Sequence, residues 1–581
     1  MTSIPIQGSK RHLGRSMDAL PVVMLVVVAL VSLVVVAHLA VVLWLSWTDG
    51  SPGSTALTYT WSNYAGVFSD RRTYDVLLNT LGFSFVSLAV ALVFGVPAAW
   101  LVERTDLPGK TGVFALMTVG MLIPGFAAAM GWLFLLHPRI GLLNIWLMGF
   151  FSLKDAPINI ISVVGMGWVQ GLNLAPLAFI MTAAVFRAMN PALEEAAQMG
   201  RANLWATMRR VTLPLARPGI MAASIYIFTI GFAAFDVPAI IGWGNRIFTF
   251  STYLYLLINP EDVLPRYGAA AAFSTIVMVL AALLSWWYGI MQRRSRQFAV
   301  ITGKAYQPRI VKLGRAVVPA WGCLALYFTL SKLVPILLLI WSSLLPFFQL
   351  PSATAFSVMS FGHYSSLPWN LVLTGIQNTA ILMILTPTLT LIVSLAFSWI
   401  VLRSKIPFRG VFDFIAFLPH AVPNIVFGIG ALLITLYVIQ RAVPIYGTIW
   451  LLLIVFTIAR ISYGTRMTNS GLIQIHTELE ESAQMSGARL RGVFRSILLP
   501  LLSPTLLYAW LWIALLVFRE LTLAVILSTS NNITLPVVVW GLWLGGGLGQ
   551  ASALTVVMLG CMVPIIIVYW LVARRQGLIA T

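Results

Sequence analysis

Charged side chains are scarce in this chain of 581 residues, where Asp, Glu, Lys and Arg together make up 9%. Soluble domains carry about 25% of these residues, so the composition excludes a soluble globular protein. Only two cysteines are present, and both Cys323 and Cys561 lie in apolar runs. Two cysteines cannot supply a disulfide framework or a four-cysteine zinc site.

Acidic residues are especially few, with 17 Asp and Glu against 36 Lys and Arg and a formal net charge of +19. In a soluble protein such an excess would suit nucleic-acid binding. In a membrane protein the same excess reflects the enrichment of Lys and Arg in cytoplasmic loops. Most basic residues fall in alternate loops between apolar runs. We therefore predict a topology with both termini in the cytoplasm, and no binding of nucleic acid.

Long apolar runs dominate the sequence, since 59% of the residues are hydrophobic and the mean hydropathy is +0.92. A helix needs about 20 mostly apolar residues to cross the core of a bilayer. Suitable segments lie at 20–47, 77–102, 112–137, 161–186, 219–241, 268–291, 317–345, 374–402, 411–438, 447–468, 503–527 and 552–573. The sequence predicts an all-α polytopic membrane protein with about 12 transmembrane helices in the lipid bilayer.

The chain contains an internal repeat. Residues 193–218 align without a gap with residues 479–504, and half of the aligned positions are identical. Further upstream, Asn79, Trp100, Arg104, Pro124 and Gly131 match Asn378, Trp399, Arg403, Pro423 and Gly430 at one common offset. Six spans return a chain to the side on which it started, so the halves are predicted to be parallel six-helix repeats.

The repeat also sets the expected domain boundaries. A cytoplasmic tail (1–19), a first repeat (20–292), a basic cytoplasmic linker (293–316), a second repeat (317–573) and a second cytoplasmic tail (574–581) follow one another. The best-matched segments lie in two loops, 187–217 and 469–502, after the fourth span of each repeat. Both loops must face one compartment, predicted to be the cytoplasm. A partner that binds both is therefore expected to be a dimer or a pair of related subunits.

Each matched loop has the pattern of a short, exposed helix. Thr477 and Glu480 have the spacing of a capping box, in which the hydroxyl and the carboxylate each bind a free helix amide. Paired carboxylates fall in the expected first turn, where the helix dipole favours negative charge. Gly200 and Gly487 are expected to end the helix early.

The residues expected to bind a partner lie on these two helices. They are Glu194, Glu195, Ala196, Ala197 and Gly200 in the first copy, and Glu480, Glu481, Ser482, Ala483 and Gly487 in the second. Small residues allow another protein to approach closely, whereas a helix that lies on a membrane carries large apolar residues instead. Because the pattern occurs twice, we interpret the loops as docking elements.

The segments Glu481-Ser482-Ala483 with Gly487, and Glu195-Ala196-Ala197 with Arg201 at the glycine position, resemble the loop signature of permease subunits of ATP-binding-cassette importers. The resemblance implies coupling helices that insert into two copies of a cytoplasmic ATPase, a periplasmic substrate-binding protein, and a bacterial inner membrane. Two six-span halves in one chain resemble the fused permeases of ferric-iron importers. Permeases for polyamines, thiamine, sulfate and aminoethylphosphonate are similar, so these substrates stay open as alternatives.

The sequence offers no nucleotide site of its own. A phosphate-binding loop needs G-x4-G-K-[ST]. Gly109-Lys110-Thr111 has Arg104 in place of the first glycine, and Gly303-Lys304 is followed by Ala305. We therefore predict that the chain is not an enzyme and binds no cofactor or metal. ATP and magnesium would belong to the partner ATPase, and Fe3+ would be a transported substrate.

Charges within the spans suggest a pathway, because each is costly in a bilayer. Asp236 and Glu520 are expected near the outer ends of spans five and eleven, where two carboxylates could meet a cationic substrate or end in salt bridges. Arg519 is a possible partner on a neighbouring span. Arg460 and Lys332 are expected to be interfacial.

Two prolines complete the expected pathway residues. Pro124 and Pro423 are predicted to kink spans three and nine, where they could line a gate.

These features predict the membrane subunit of an ATP-driven importer that works by alternating access. A secondary transporter driven by an ion gradient is one alternative, although it would require acidic residues near the middle of the membrane. A non-transporting scaffold that docks a cytoplasmic dimer is another.

Overall fold

The computed structural model describes residues 19–49, 58–189, 192–260, 264–297 and 310–575. Most of the expected N-terminal tail, the central part of the expected linker (298–309) and the end of the expected C-terminal tail (576–581) lie outside these ranges. The predictions made for those segments are therefore expectations from sequence only.

The first half is almost entirely helical. Its helices are α1 (Ala19–Ser46), α2 (Ser62–Ser69), α3 (Arg71–Arg104), α4 (Lys110–Gly120), α5 (Gly125–Leu136), α6 (Leu142–Phe151), α7 (Val163–Ala188), α8 (Ala192–Met199), α9 (Leu204–Thr207), α10 (Leu213–Ala233), α11 (Asp236–Ile241), α12 (Phe250–Ile258) and α13 (Tyr267–Gln297). A small antiparallel ribbon joins β1 (Thr48–Asp49) to β2 (Thr58–Tyr59). A π-helical turn spans Met208–Thr212, and a 3-10 turn spans Trp243–Asn245.

The second half repeats this order. Its helices are α14 (Val317–Phe328), α15 (Val334–Leu344), α16 (Ala353–Ser357), α17 (Gly362–Ser365), α18 (Trp369–Arg403), α19 (Arg409–Ala421), α20 (Asn424–Ile434), α21 (Ile449–Ile473), α22 (Thr477–Met485), α23 (Leu490–Val493), α24 (Leu499–Phe518), α25 (Thr522–Leu527), α26 (Leu535–Leu544) and α27 (Leu548–Arg575). A 3-10 turn spans Gly314–Ala316, and π-helical turns span Thr329–Leu333, Thr435–Ile439 and Phe494–Leu498.

The predicted fold class is confirmed. Within the described ranges, ten helices are long and apolar enough to cross a membrane, and two bent helix pairs raise the number to twelve if each pair is one span. The bent pairs are α4 with α5 and α19 with α20, which are spans three and nine of the two repeats.

The two bends occur at the matched prolines. Pro124 and Pro423 precede α5 and α20, and both have extended backbone angles, φ −58° and ψ 138° for Pro124 and φ −54° and ψ 135° for Pro423. Proline lacks an amide hydrogen and clashes with the preceding turn, which breaks a helix. The breaks turn the chain by 95° and 105°, which is much more than the kink expected from the sequence.

Spans five and eleven begin earlier than predicted. The structure extends them over Leu204–Ile241 and Leu490–Phe518. The helices continue past Pro214 and Pro500, because a π-helical turn precedes each proline and the proline occupies the first turn of the next helix.

The first span of each half packs against helices of the other half. Helix α1 packs against α18, α19 and α20, whereas α15 packs against α5. Close approach at these crossings occurs at two matched glycines. A Cβ at Gly131 would lie 2.5 Å from Pro335 Cα, and one at Gly430 would collide with the carbonyl oxygen of His38. The exchange joins the two halves into one bundle around a shared apolar core.

Candidate functional site

The two loop helices, α8 and α22, are fixed to the bundle by matched ion pairs. In the second half, Arg403 at the end of α18 places its Nε 2.8 Å from Oε1 of Glu480. In the first half, Nη1 of Arg104 at the end of α3 lies 3.8 Å from Oε2 of Glu194. Both glutamates are buried, at 6% and 9% exposure. The first glutamate of each pair therefore points into the permease and not toward a partner.

The same two arginines also bind the end of the preceding span. Nη2 of Arg403 donates to the carbonyl oxygens of Leu472 and Ile475, at 2.9 and 2.7 Å. Nη2 of Arg104 donates to the carbonyl oxygen of Met189 at 3.2 Å. Carbonyls at a helix end lack intrahelical partners, so these bonds satisfy groups that would otherwise be orphaned. One side chain thus connects three helices at this end of each half.

The first copy of this anchor is weaker and has an additional support. Thr212 donates a hydrogen bond from Oγ1 to Oε1 of Glu194 at 2.7 Å. The matched position in the second half is Leu498, which has no polar group. The Nε of Arg104 is buried and has no hydrogen-bond partner among the described residues. The threonine therefore compensates in part for the longer distance between Arg104 and Glu194.

The predicted capping box is wrong. The residue that precedes α22 is His476, and no side chain caps this helix. Thr477 is already helical, and Glu480 binds Arg403 instead of an amide at the helix start. An ion pair with a buried guanidinium is a stronger attraction for a carboxylate than an amide that water can also reach.

The predicted helix end at Gly200 is also wrong in its geometry. Residue 201 is the one that adopts the left-handed conformation, with Arg201 at φ +62°. Its match in the second half, Gly487, has φ +87°. Both helices therefore end by the same backbone turn, although only the second has the glycine that tolerates this turn without a steric cost.

The outer surface of each loop helix is exposed. Glu481 and Ser482 are exposed, as is Ala196, while Glu195, Ala197 and Ala483 are half-buried. Large apolar side chains are exposed at matched positions: Leu193 at 49% and Met199 at 79% in the first copy, Leu479 at 48% and Met485 at 89% in the second. The surface is thus less restricted to small residues than the sequence suggested. Exposed apolar side chains thus recur at matched positions of the two loop helices.

A central cavity of about 370 Å3 lies between the two halves. Both halves contribute to its wall, which includes Asp236, His420, Pro423, Arg460, Arg519 and Glu520. The structure therefore brings together the charged residues predicted for the pathway. Pro423 lines the cavity directly, whereas Pro124 contributes through its neighbours Ile123 and Gly125.

Asp236 and Glu520 both lie at breaks that end the long helix of their span. Asp236 begins the short helix α11, and Glu520 lies between α24 and α25. The residues before the short helices have nearly the same backbone, with φ −109° and ψ −45° at Phe235 and φ −102° and ψ −43° at Leu521. When the two halves are aligned on these breaks, Glu520 lies two residues before the position that is equivalent to Asp236. The two carboxylates are therefore not equivalent in the repeat.

The two carboxylates do not form a joint cation site. Glu520 is buried and forms an ion pair with Arg460 of α21, and its Oε1 accepts a hydrogen bond from the amide of Leu523 at 3.1 Å. Asp236 lies against Gly125, at the break of span three. Glu520 is thus neutralised by an ion pair, whereas Asp236 forms no ion pair within 4.0 Å among the described residues.

Arg519 does not pair with its sequence neighbour either. Its Nη1 donates to the carbonyl oxygen of Met121, next to the break at Pro124. Arginines in membrane proteins often bind backbone carbonyls that a broken helix leaves free. A cation from the second half thus binds a backbone carbonyl beside the helix break of the first half.

Three residues in or beside the cavity were missed or misjudged from the sequence: Arg460 and His420 line it, and Lys332 lies behind its wall on Asn173. Arg460 is 5% exposed and central in α21, so the interfacial placement was wrong for it. Lys332 lies within span seven and donates to Oδ1 of Asn173 at 3.2 Å. His420 stacks on Tyr226 and contacts Tyr463 edge-on, with centroid distances of 5.3 Å in both cases. For Arg460 and Lys332, a charge inside an apolar span was a sequence signal for a buried role. No sequence signal indicated that His420 would pack with Tyr226 and Tyr463.

Comparison with known proteins places the chain among membrane transport components. The family model described as binding-protein-dependent transport system inner membrane component matches twice, at residues 91–297 and 388–577. These matches cover more than half of the chain and coincide with the two repeats.

Three curated proteins illustrate the similarity. The ferric transport system permease protein FbpB of Actinobacillus pleuropneumoniae is 23% identical, over 86% of this chain and 72% of its own length. The Fe(3+)-transport system permease protein FbpB 2 of Haemophilus influenzae is 24% identical, over 81% and 84%. The spermidine/putrescine transport system permease protein PotB of Escherichia coli is 27% identical over 40% of this chain and 82% of its own length. The chain belongs to the family of binding-protein-dependent transport system inner membrane components, and is a multi-pass permease of an ATP-binding-cassette importer with two family domains in one polypeptide.

Proposed function

We propose that this permease moves ferric iron, delivered by a periplasmic substrate-binding protein, across the bacterial inner membrane. The support comes from the two ferric-transport relatives, which match over most of the chain in its fused two-domain form. The chain would hold no resident cofactor, so iron would be its substrate only.

Two copies of a separate cytoplasmic ATPase would supply the energy. The observation that carries this proposal is the repeated loop helix, which is fixed by a buried glutamate and exposes a methionine in both halves. The following acidic residue is exposed in α22, as Glu481, and half-buried in α8, as Glu195. One ATPase would receive α8 and the other α22. ATP and magnesium would bind to those subunits, and both termini of the permease would face the cytoplasm with them.

The proposed mechanism is alternating access. Closure of the ATPases around ATP would move the two loop helices toward each other. Because Arg104 and Arg403 connect these helices to the ends of α3 and α18, the movement would pass into the spans that pack around the cavity. The cavity would then open toward the binding protein, and hydrolysis of ATP would reset it.

Polyamine transport is the second candidate. The spermidine/putrescine relative supports it, although that protein matches 40% of this chain. Thiamine, sulfate and aminoethylphosphonate are further candidates that rest on resemblance of the sequence.

Purification of the chain from its native membrane tests the proposal. We expect two ATPase subunits per permease to be recovered, with ATP turnover that rises when the loaded binding protein is added. The iron content of the recovered binding protein would then be measured. Recovery of the permease without an ATPase, under conditions that preserve a known importer complex, would contradict the proposed energy source.

A further inference from the structure

Two cations in the central part of the bundle are held by neutral oxygens and not by an ion pair with a described carboxylate. Lys332 and Arg519 form no ion pair within 4.0 Å in the part of the chain that the structure describes. Each makes a hydrogen bond to a neutral oxygen, of Asn173 for Lys332 and of Met121 for Arg519. A cation inside a membrane span costs about 2.5–3.5 kcal/mol on insertion scales. Retention of two such cations points to a function.

The two cations lie beside the same helix break. Cε of Lys332 would be 3.4 Å from a Cβ placed on Gly120, and Arg519 binds the carbonyl oxygen of the next residue, Met121. They come from spans seven and eleven, and they are close enough to repel each other. Lys332 also lies in a π-helical turn, a feature that is frequent at functional sites. An anion beside this break would relieve the repulsion.

The remaining charges around the cavity do not supply that anion. Glu520 forms an ion pair with Arg460, and Arg519 is attracted first by Asp236 and then by Glu520 without an ion pair to either within 4.0 Å. Arg466 adds another cation behind the wall, with its guanidinium 5.1 Å from the ring centroid of Phe417. Arg460 and Arg519 balance Asp236 and Glu520 in the lining of the cavity. Lys332 and Arg466 behind the wall add positive charge, which disfavours a bare trivalent cation.

The size of the cavity agrees with a molecule rather than a bare ion. Its volume is about 370 Å3, whereas a single water needs roughly 10–15 Å3 on the same measure. Small-molecule sites begin at about 300 Å3. A guanidinium binds carboxylate or phosphonate oxygens through two parallel hydrogen bonds, and an ammonium adds a point charge.

We propose that Arg519, which lines the central cavity, and Lys332, which lies behind the wall on Asn173, form an anion site at this wall, and that the transported species carries an oxyanion group. This inference rests on the proposed transport function and specifies its substrate class. Two sources have this chemistry: a ferric ion complexed by a small polycarboxylate, and a free organic oxyanion such as an aminoalkylphosphonate. In both, the positively charged part would face Asp236.

The test is ATP-driven uptake by the permease reconstituted with its ATPase and binding protein. The probes are ferric citrate labelled on both iron and citrate, 2-aminoethylphosphonate, and spermidine. We expect uptake of an anion-bearing probe. Joint entry of iron and citrate would identify the ferric complex, and entry of the phosphonate would identify the free oxyanion. Entry of iron without citrate, or of spermidine alone, would overturn the inference.

Variants connect the uptake to the two cations. Lys332→Met and Arg519→Gln should each lower uptake of the anion-bearing probe at least tenfold, and Arg519→Lys should restore part of it. The control is Lys154→Met, at an exposed lysine outside the spans, which should transport normally. Recovery of each variant with its ATPase separates loss of transport from loss of folding. Assembled Lys332→Met and Arg519→Gln complexes that transport at the normal rate would overturn the anion site.

Failure of the proposed function has a different signature. A chain that recruits no ATPase, or a complex whose ATP turnover does not respond to the binding protein, would contradict the importer mechanism. A complex with a normal ATPase response that moves none of the three probes would contradict only the anion site.

Discussion

Arg403 and Glu480 connect the loop helix α22 to the membrane bundle through a bond of 2.8 Å between Nε and Oε1. The two residues are far apart in sequence, and the equivalent pair in the first half, Arg104 and Glu194, has the same arrangement at 3.8 Å. The contact therefore occurs at equivalent places in two diverged halves. It also distinguishes the two neighbouring glutamates of α22, since Glu480 anchors the helix and Glu481 is exposed.

The anchor should contribute more stability in the second half than in the first. Arg403→Met leaves Glu480 buried without its charge partner, which costs about 3 kcal/mol for pairs of this kind. A double-mutant cycle with Glu480→Gln, followed by thermal unfolding in detergent, measures the coupling. The matched cycle at Arg104 and Glu194 should give a smaller value, because the charges are further apart and Thr212 also supports the carboxylate. Equal couplings would contradict this ranking.

Glu481→Lys should abolish ATPase binding by α22 without unfolding the permease. Glu481 is exposed, so its replacement disturbs no buried contact, but it reverses the charge on the surface proposed to enter the partner. Co-purification of the ATPase measures the effect. The control is Glu478→Lys, an equally exposed glutamate in the first turn of the same helix. Normal recovery of two ATPase subunits by Glu481→Lys would refute the role given to this carboxylate.

Arg201→Gly should stabilise the end of α8. A residue with a side chain at φ +62° pays about 1 kcal/mol that glycine avoids. The reverse change in the second half, Gly487→Ala at φ +87°, should lose a similar amount although open space surrounds the new Cβ. Thermal unfolding of both variants measures the two shifts. Shifts in the same direction would show that Arg201 is held for another reason, such as contact with the partner.

Gly131→Ala and Gly430→Ala should destabilise the crossings at which the halves exchange their first spans. A Cβ at either position meets the backbone of the crossing helix, and overpacking of this kind costs about 1–3 kcal/mol. Gly149→Ala and Gly410→Ala are matched controls, because nothing lies within 4 Å of their new Cβ atoms. The measurement is thermal unfolding of the four variants in detergent. Equal stability of all four would contradict the close approach.

Composition and repetition predicted the helical membrane fold, the two-half organisation and the position of the loop helices. Those features depend on local properties: long apolar runs require a helix in a bilayer, and a repeated segment must occupy equivalent places in two repeats. The same reasoning predicted that Pro124 and Pro423 disturb their helices, since the effect of proline is local. It could not give the size of the two breaks, which depends on the helices packed around them.

The tertiary structure alone decided which charges meet. Glu480 turns toward Arg403 and not toward its own helix start, and Glu520 pairs with Arg460, because residues that are distant in sequence supply stronger partners than the local backbone. Lys332 and Arg519 reach one helix break only because the halves interlock around the cavity. A sequence specifies which groups are costly to bury, whereas the packing of the bundle determines how that cost is compensated. At these two cations the packing supplies neutral oxygens, of Asn173 and Met121, rather than an ion pair.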